Sequence, residues 1–265
     1  MWTRILGILL IIAGIIGGPI PVVPGSLIVV LGILTYFAGR ERTLRRFIPE
    51  RIPAFVAGIY NRVVAPVLQP LHDKMVESIA AHGPRRILDV GAGTGALAVG
   101  IARRLPGSRV AGIDFSPAMA NIAALAGAGV PNLVFAVMDG KQMAFIDNEF
   151  DLVVSTSSLH HWREPVRIFN EIFRCLKPGG EAWIVEGYSG VDQAAIDRAL
   201  KPRAWGWAHY RVVMYSLKIH GFSQEEYDTT VKDAIAQSNF REGVFSRSDI
   251  MMHIVLRKPV TAPAP

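Results

Sequence analysis

The sequence predicts an α/β chain, with a doubly wound sheet that is preceded by an apolar helical hairpin. Three observations lead to this fold class. Apolar β-branched runs alternate with helical repeats after residue 84, a glycine-rich turn lies within Arg86–Gly95, and Ile5–Phe37 contains no charged residue over 33 positions. The 265 residues therefore divide into segments 1–46, 47–83 and 84–260.

Composition and charge exclude several classes of protein. The chain is 51% hydrophobic and 19% charged, with a mean hydropathy of +0.31, which is too apolar for a disordered or an ordinary soluble chain. Lys and Arg outnumber Asp and Glu by 10 to 4 in residues 1–86, whereas both number 18 in residues 87–265. This distribution argues against a nucleic-acid partner and favours an anionic membrane surface near the N-terminal part. The single cysteine excludes an intramolecular disulfide.

Residues 1–46 are predicted to form a membrane-anchoring hairpin with a basic flank. A straight helix over Ile5–Phe37 would rise about 50 Å, which exceeds the roughly 30 Å core of a bilayer. Prolines and glycines cluster in its middle, so two apolar arms joined by a turn are expected. One arginine precedes the stretch and four lie within residues 40–46, which predicts that both ends and the following domain face the cytoplasm. A secretory signal peptide is the alternative, although no small-residue cleavage site follows.

Residues 47–83 are predicted to be an amphipathic linker followed by a lead-in helix. Prolines recur through the first half, and apolar residues recur with helical spacing from Leu71 to Ala81. An interfacial collar on the membrane and an ordinary helix packed on the next domain are both compatible with this pattern.

A strand, a glycine-rich turn and a helix open the third segment. Gly91 and Gly93 permit a sharp turn and close approach of a ligand, and Gly95 lets the helix begin near the strand. The next strand ends in Asp114, whose carboxylate suits ribose hydroxyls. With Ala96, the first two glycines also satisfy the relaxed dinucleotide-binding pattern, so this turn alone does not identify the ligand.

Four segments together resemble the class I S-adenosylmethionine-dependent methyltransferases, over roughly Leu71–Lys258. They are D-V-G-A-G-T-G at Asp89–Gly95, V-M-D-G at Val137–Gly140, F-D-L-V-V-S at Phe150–Ser155 and R-C-L-K-P-G-G-E-A-W-I-V-E at Arg174–Glu186. The resemblance implies a Rossmann-like sheet of seven strands whose last strand is antiparallel, and S-adenosyl-L-methionine as the cofactor. It also fits a loop without Lys or Arg, because this cofactor has no pyrophosphate.

The resemblance also implies the cofactor-binding residues. Asp89 would hold the amino group of the methionine end, Asp114 the ribose, and Asp139 the adenine amine. The alternative for Asp139 is that it only caps an Asp-Gly turn. The implied cofactor-binding set is Asp89, Gly91, Ala92, Gly93, Gly95, Asp114, Phe115, Met138, Asp139, Gly140 and Ser155.

The C-terminal part predicts the remaining elements. A capping box at Ser223–Glu226 precedes a helix that extends to about Gln237. Glu242–Ser246 and Ile250–Lys258 then suit the antiparallel sixth and seventh strands that the resembled family adds to its sheet. Between the fifth strand and the capping box, residues 187–222 form an insertion rich in aromatic residues, which suggests a lid on the acceptor side or a packing helix.

Candidate acceptor-side residues follow the fourth strand. His160 or His161 could take a proton from an acidic acceptor or orient it. Because adjacent side chains rarely point to one place, at most one of them is expected at the site. A histidine that only packs the following helix is the competing interpretation. No metal site is expected, because no second histidine at helical spacing and no carboxylate companion is evident.

The sequence therefore predicts a membrane-anchored enzyme that transfers a methyl group from S-adenosylmethionine to a lipid-soluble or membrane-resident small molecule, with the bilayer as a partner. The overall pattern is similar both to quinone-ring C-methyltransferases and to bacterial phospholipid-headgroup N-methyltransferases. A non-catalytic S-adenosylmethionine-binding membrane scaffold and an NAD(P)-dependent oxidoreductase are the alternatives.

Overall fold

A computed structural model describes residues 54–204, 206–248 and 250–260. The predicted hairpin, the first part of the linker and the C-terminal tail lie outside these residues. The strands are β1 (Arg86–Val90), β2 (Arg109–Asp114), β3 (Leu133–Val137), β4 (Phe150–Thr156), β5 (Leu176–Gly187), β6 (Val244–Ser248) and β7 (Met251–Arg257). The helices are α1 (Ala54–Val63), α2 (Ala65–His82), α3 (Ala96–Arg104), α4 (Pro117–Ala126), α5 (Pro165–Cys175), α6 (Gln193–Leu200), α7 (Trp207–His220) and α8, which joins Gln224–Glu226, a π-helical turn at Tyr227–Val231 and Lys232–Gln237.

The strands form one seven-stranded sheet in the order β3-β2-β1-β4-β5-β7-β6. Strands β1 to β5 pair in parallel, whereas β7 runs antiparallel to both β5 and β6. This confirms the predicted antiparallel last strand. Strands β6 and β7 are antiparallel to each other, so β6 runs in the same direction as β1 to β5. The strand order reverses between β1 and β4, where ligands bind in sheets of this kind.

The sheet buries both faces, as parallel strands flanked by helices do. Successive residues of β1 illustrate the alternation, since Ile87 packs with α2 and α3 on one face and Leu88 with α5 and α8 on the other. Both side chains are fully buried. The site therefore rests on a rigid layered core.

Local sequence signals fix several helix starts as predicted. The Ser116 hydroxyl accepts a hydrogen bond from the Met119 amide and caps α4, and Ser223 and Glu226 form a complete capping box at α8. Gly95 has φ +81°, and a Cβ there would lie 2.7 Å from the Phe135 ring. The start of α3 against the sheet therefore requires glycine.

The second half of the predicted linker is an ordinary packing helix. Helix α2 begins earlier than expected and contains Pro70 within it. It buries Met75, Val76 and Ile79 against the core beside α3. Within the three described ranges, no helix combines the length and the apolar character needed to cross a membrane.

Candidate functional site

A cavity of about 620 Å³ lies at the carboxyl ends of β1 and β4. Its floor is the turn after β1 and the segment after β4, and its walls come from α1, α2 and the insertion that contains α6 and α7. This volume lies within the usual range of small-molecule sites, roughly 300–1,000 Å³. Leu200, Val213, Leu217 and His220 of the insertion line the cavity, whereas the side chains of Trp205 and Tyr215 lie outside the described part. That the insertion acts as a lid stays a prediction.

The glycine-rich turn supplies backbone to one end of the cavity. Gly91, Ala92 and Gly93, which the resemblance implies as cofactor-binding residues, all line it. The amides of Gly91 and Ala92 both donate to the Ile113 carbonyl at 2.9 Å, which ties the turn to the end of β2. The turn is therefore held in place before any ligand arrives.

Asp89 is the most unusual polar residue of this region. It lies at the end of β1 with 1% of its surface exposed, and neither carboxylate oxygen has a hydrogen-bond partner among the described residues. Burial, with a smaller effect from the Asp114 charge, raises the pKa of Asp89 from 3.8 to about 7. A buried carboxylate without donors is costly, so this residue fits a ligand that brings a cationic amino group.

The carboxylate of Asp114, unlike that of Asp89, has described hydrogen-bond partners. Its Oδ2 accepts a hydrogen bond from the Gly93 amide at 2.9 Å, and its Oδ1 accepts one from the Ser116 amide at 2.8 Å. Burial raises the pKa of this carboxyl, while the two amide donors lower it. Asp114 lines the cavity and also fixes the turn, so it suits the ribose position that the sequence implies.

Replacing Asp114 by Ala is expected to weaken S-adenosylmethionine binding by roughly 10- to 100-fold. The variant loses carboxylate hydrogen bonds that are each worth about 1.5–3 kcal/mol, and it frees the Gly93 amide. Calorimetric titration of the purified variant measures the change, with Asp233→Ala, an exposed aspartate on α8, as the control. Binding equal to that of the unchanged chain would show that Asp114 is misassigned.

The other predicted cofactor residues separate into two groups. Phe115, Met138, Asp139 and Gly140 line the cavity. The Asp139 side chain also accepts a hydrogen bond from the Lys141 amide at 2.9 Å, so the turn-capping role is present, while the adenine contact stays a prediction. Ser155 does not belong with them, because its buried hydroxyl donates to the Val90 carbonyl at 2.7 Å and packs β4 against β1.

Both predicted histidines reach the cavity. His160 and His161 form a short 3₁₀ turn after β4, with ring centroids 4.1 Å apart, and both line the cavity. The expectation that at most one of them points to the site is wrong, because the tight turn keeps the adjacent rings on one side. The Nδ1 atom of His160 lies 3.0 Å from Glu186 Oε2.

Sequence reasoning missed several residues that line the cavity beside the two histidines. Glu186 ends a quoted motif without an assigned role, yet it is fully buried and its Oε1 accepts hydrogen bonds from the Ser158 and Leu159 amides at 2.6 and 2.5 Å. Its position beside the histidine turn depends on the pairing of β4 with β5. No local pattern could have revealed it.

Two polar side chains from the N-terminal helices complete the cavity wall. Burial, together with the charges of Glu186 and Asp114, raises the pKa of Tyr60 to about 12. Burial lowers the pKa of His72 to about 4, and its Nδ1 atom has no hydrogen-bond partner among the described residues. Both side chains are therefore neutral near pH 7, which keeps this wall uncharged.

Comparison with known proteins places the chain among methyltransferases. Residues 88–184 match the model of a methyltransferase domain family. A malonyl-[acyl-carrier protein] O-methyltransferase from Geobacter sulfurreducens is 32% identical over 206 residues, which cover 74% of this chain and 69% of that protein. A demethylmenaquinone methyltransferase from Chlorobaculum parvum is 38% identical over 101 residues, and the match spans only 40% of its length.

Solved structures share the fold. A protein from Methanococcus maripaludis superposes with a TM-score of 0.63 at 21% identity, covering 79% of this chain and 94% of its own. An S-adenosylmethionine-dependent methyltransferase from Aquifex aeolicus gives a TM-score of 0.56 at 16% identity, covering 78% of this chain and 99% of its own. The Rossmann-like architecture predicted from the sequence is thereby confirmed.

Proposed function

Because this chain belongs to the class I S-adenosylmethionine-dependent methyltransferase family, we propose that it transfers a methyl group from S-adenosylmethionine to a lipid-soluble small molecule at a membrane. One observation carries the proposal. One cavity of about 620 Å³ brings the glycine-rich turn and Asp114 together with many aliphatic side chains, and Asp89, which does not line the cavity, is buried directly before Val90, which does.

The turn end of the cavity suits the cofactor. S-adenosylmethionine supplies a methyl group on a positively charged sulfur when it is bound. Asp89 offers two unpartnered carboxylate oxygens for its amino group, and Asp114 offers a carboxylate at the end of β2 for its ribose. The negative potential of these two groups favours a cationic ligand.

The other end of the cavity suits an apolar acceptor. The cavity is lined by aliphatic side chains from α1, α2, the insertion and the start of β7, namely Val56, Val64, Leu68, Leu200, Val213, Leu217, Ile250 and Met251, and we assign this apolar lining to the acceptor. His160 and His161 are the polar groups that we assign to orient the acceptor. Excluding water and aligning the acceptor with the methyl group are the main contributions a protein makes to such a displacement.

The acceptor class draws support from the relatives. The Chlorobaculum parvum protein is named for demethylmenaquinone, an apolar quinone, and the Geobacter sulfurreducens protein for a malonyl group on a carrier protein. The uncharged stretch Ile5–Phe37 and its arginine flanks favour the membrane-soluble choice. We propose that this stretch anchors the chain with its methyltransferase domain facing the cytoplasm, as the positive-inside rule predicts.

When the detergent-purified full chain is incubated with total membrane lipid and methyl-labelled S-adenosylmethionine, label is expected in the organic phase after solvent extraction. Chromatography of that phase then separates a methylated quinone from a methylated phospholipid. A chain lacking residues 1–46 is expected to bind the cofactor equally well and to methylate the lipid acceptor more slowly, because it no longer concentrates at the bilayer.

The controls separate the parts of this proposal. Label that stays wholly in the cofactor despite measured binding would contradict lipid methylation. Label transferred only to added malonyl-acyl-carrier protein would replace the lipid acceptor by a carrier-bound one. Undiminished methylation of vesicle lipid by the shortened chain would contradict the membrane anchor.

A further inference from the structure

Three histidines from distant parts of the sequence meet in the cavity. His160 and His161 come from the turn after β4, and His220 is the last residue of α7. The ring of His220 lies 4.6 Å from that of His160 and 5.9 Å from that of His161, centroid to centroid. One nitrogen from each residue lies within 4.8 Å of the other two, and all three rings line the cavity.

A buried carboxylate supports this cluster. Glu186 Oε2 lies 3.0 Å from Nδ1 of His160. Both side chains are almost fully buried, with 3% of His160 and 1% of Glu186 exposed. Glu186 is itself held by the amides of Ser158 and Leu159. A carboxylate on one imidazole nitrogen is the usual partner of a metal-binding histidine, because it fixes the ring and makes the other nitrogen a better ligand. A metal would then be bound through Nε2 of His160.

The spacing and chemistry indicate which ion fits. At metal–nitrogen distances of about 2.1 Å, neighbouring ligand nitrogens in a tetrahedral site lie roughly 3.4 Å apart. The three nitrogens lie within 4.8 Å of one another, so binding would require them to approach by up to about 1.4 Å. Imidazole ligands select zinc, copper, iron or nickel rather than magnesium or calcium, which prefer oxygen. The Glu186 carboxylate offsets part of the added positive charge.

We propose that His160, His161 and His220 bind one divalent transition-metal ion of the zinc type, with an open coordination position that faces the acceptor end of the cavity. Three histidines with a fourth position left for another ligand are a known catalytic arrangement. That the open position holds an oxygen of the acceptor rests on the proposed function, whereas metal binding itself does not. The expectation of no metal site relied on local spacing, which cannot reveal a ligand sixty residues away or a carboxylate on a neighbouring strand.

The test uses the full chain, purified without an affinity tag of added histidines and treated with a chelator. Titration with Co²⁺ alone is expected to give visible d–d absorption that saturates at one ion per chain and is lost when Zn²⁺ is added. His220→Ala is expected to weaken Co²⁺ binding by more than about 100-fold, beyond the effect of removing an outer partner. Glu186→Gln, which keeps the shape of the side chain, is expected to weaken it by roughly 10- to 100-fold.

His253→Ala is the matched control, because it removes a histidine on β7 whose ring bonds Ser248 outside the cluster, and it should bind Co²⁺ normally. S-adenosylmethionine binding, measured for every variant, shows whether each has folded. Absence of saturable Co²⁺ binding by the unchanged chain, or equal binding by His220→Ala, would overturn the proposal. If the chain transfers methyl groups but binds no metal, the proposed function stands and the metal site is wrong. If the chain binds the metal but transfers no methyl group, the metal site stands and the proposed function is wrong.

Discussion

Asp89→Asn is expected to weaken S-adenosylmethionine binding by at least 10- to 100-fold while making the ligand-free protein more stable at alkaline pH. The carboxylate is buried without a described hydrogen-bond partner, so it destabilises the folded chain whenever it is charged. The same charge binds a cationic amino group, and a charged hydrogen bond of this kind is worth about 1.5–3 kcal/mol. Asp89→Asn carries no charge, so it loses both the destabilisation of the folded chain and the charged contact with the amino group.

The pH dependence of stability follows from the raised pKa of Asp89. The folded chain binds this proton up to about pH 7, whereas the unfolded chain releases it near the ordinary value of 3.8. Between these values the unfolded state carries fewer protons, so the free energy of unfolding falls as pH rises. The loss is on the order of a few kcal/mol and is complete above about pH 7. Asp89→Asn has no carboxyl proton to release at this position, so this fall in the free energy of unfolding is absent from the variant.

Denaturant unfolding of both ligand-free proteins between pH 4 and pH 9 measures this effect. The two curves are expected to diverge as pH rises, with the variant more stable at the alkaline end. Asp114→Asn is the matched control, since that carboxylate already accepts two amide hydrogen bonds and its replacement should lower stability. Parallel curves for Asp89→Asn and the unchanged chain would contradict the assignment of a charged, unpartnered carboxylate.

Gly91→Ala is expected to lower the free energy of unfolding by about 2–5 kcal/mol and to abolish cofactor binding. Gly91 has φ +73°, and a Cβ there would lie 2.0 Å from Ser158 Oγ and 2.7 Å from Ser158 Cβ. The left-handed backbone costs an alanine about 1–2 kcal/mol, and forced overpacking adds roughly 1–3 kcal/mol. Displacing Ser158 also disturbs the hydrogen bond that its hydroxyl accepts from the Trp162 indole.

Gly93→Ala separates these two costs. Gly93 has φ +56°, but a Cβ there meets no atom within 4 Å, so only the backbone cost of about 1–2 kcal/mol is expected. The double variant Gly91→Ala with Ser158→Gly should recover part of the lost stability, because it removes the clashing side chain. Chemical denaturation of the ligand-free proteins gives all three values. Equal stability of Gly91→Ala and Gly93→Ala would show that the contact with Ser158 does not limit the turn.

Much of the fold could be predicted because its signals are local. Ser116 caps α4 and Ser223 opens α8 through contacts that span three residues. The first two strands and the glycine turn were predicted for the same reason. The start of α2 was misplaced because Pro70 is tolerated inside a helix whose apolar face is buried against α3.

The half of the site proposed for the cofactor was accessible to sequence reasoning, whereas the half proposed for the acceptor was accessible only through His160 and His161. Gly91, Gly93 and Asp114 lie at the ends of two adjacent parallel strands, so their motifs already imply proximity. Ser155 was assigned to this half, but its hydroxyl serves the packing of β4 on β1. Tyr60 and His220 reach the cavity only because the helices before and after the core fold over it.

The sequence by itself determined the family, the order of most strands and helices, and the glycine-and-carboxylate turn for the cofactor, because each depends on residues close together in the chain. Only the tertiary structure decided that Asp89 is buried without a described partner, that both adjacent histidines face one cavity, and that His220 and Glu186 join them. These facts depend on strand order and on helix packing across long separations. Burial and convergence of side chains are properties of the folded chain as a whole.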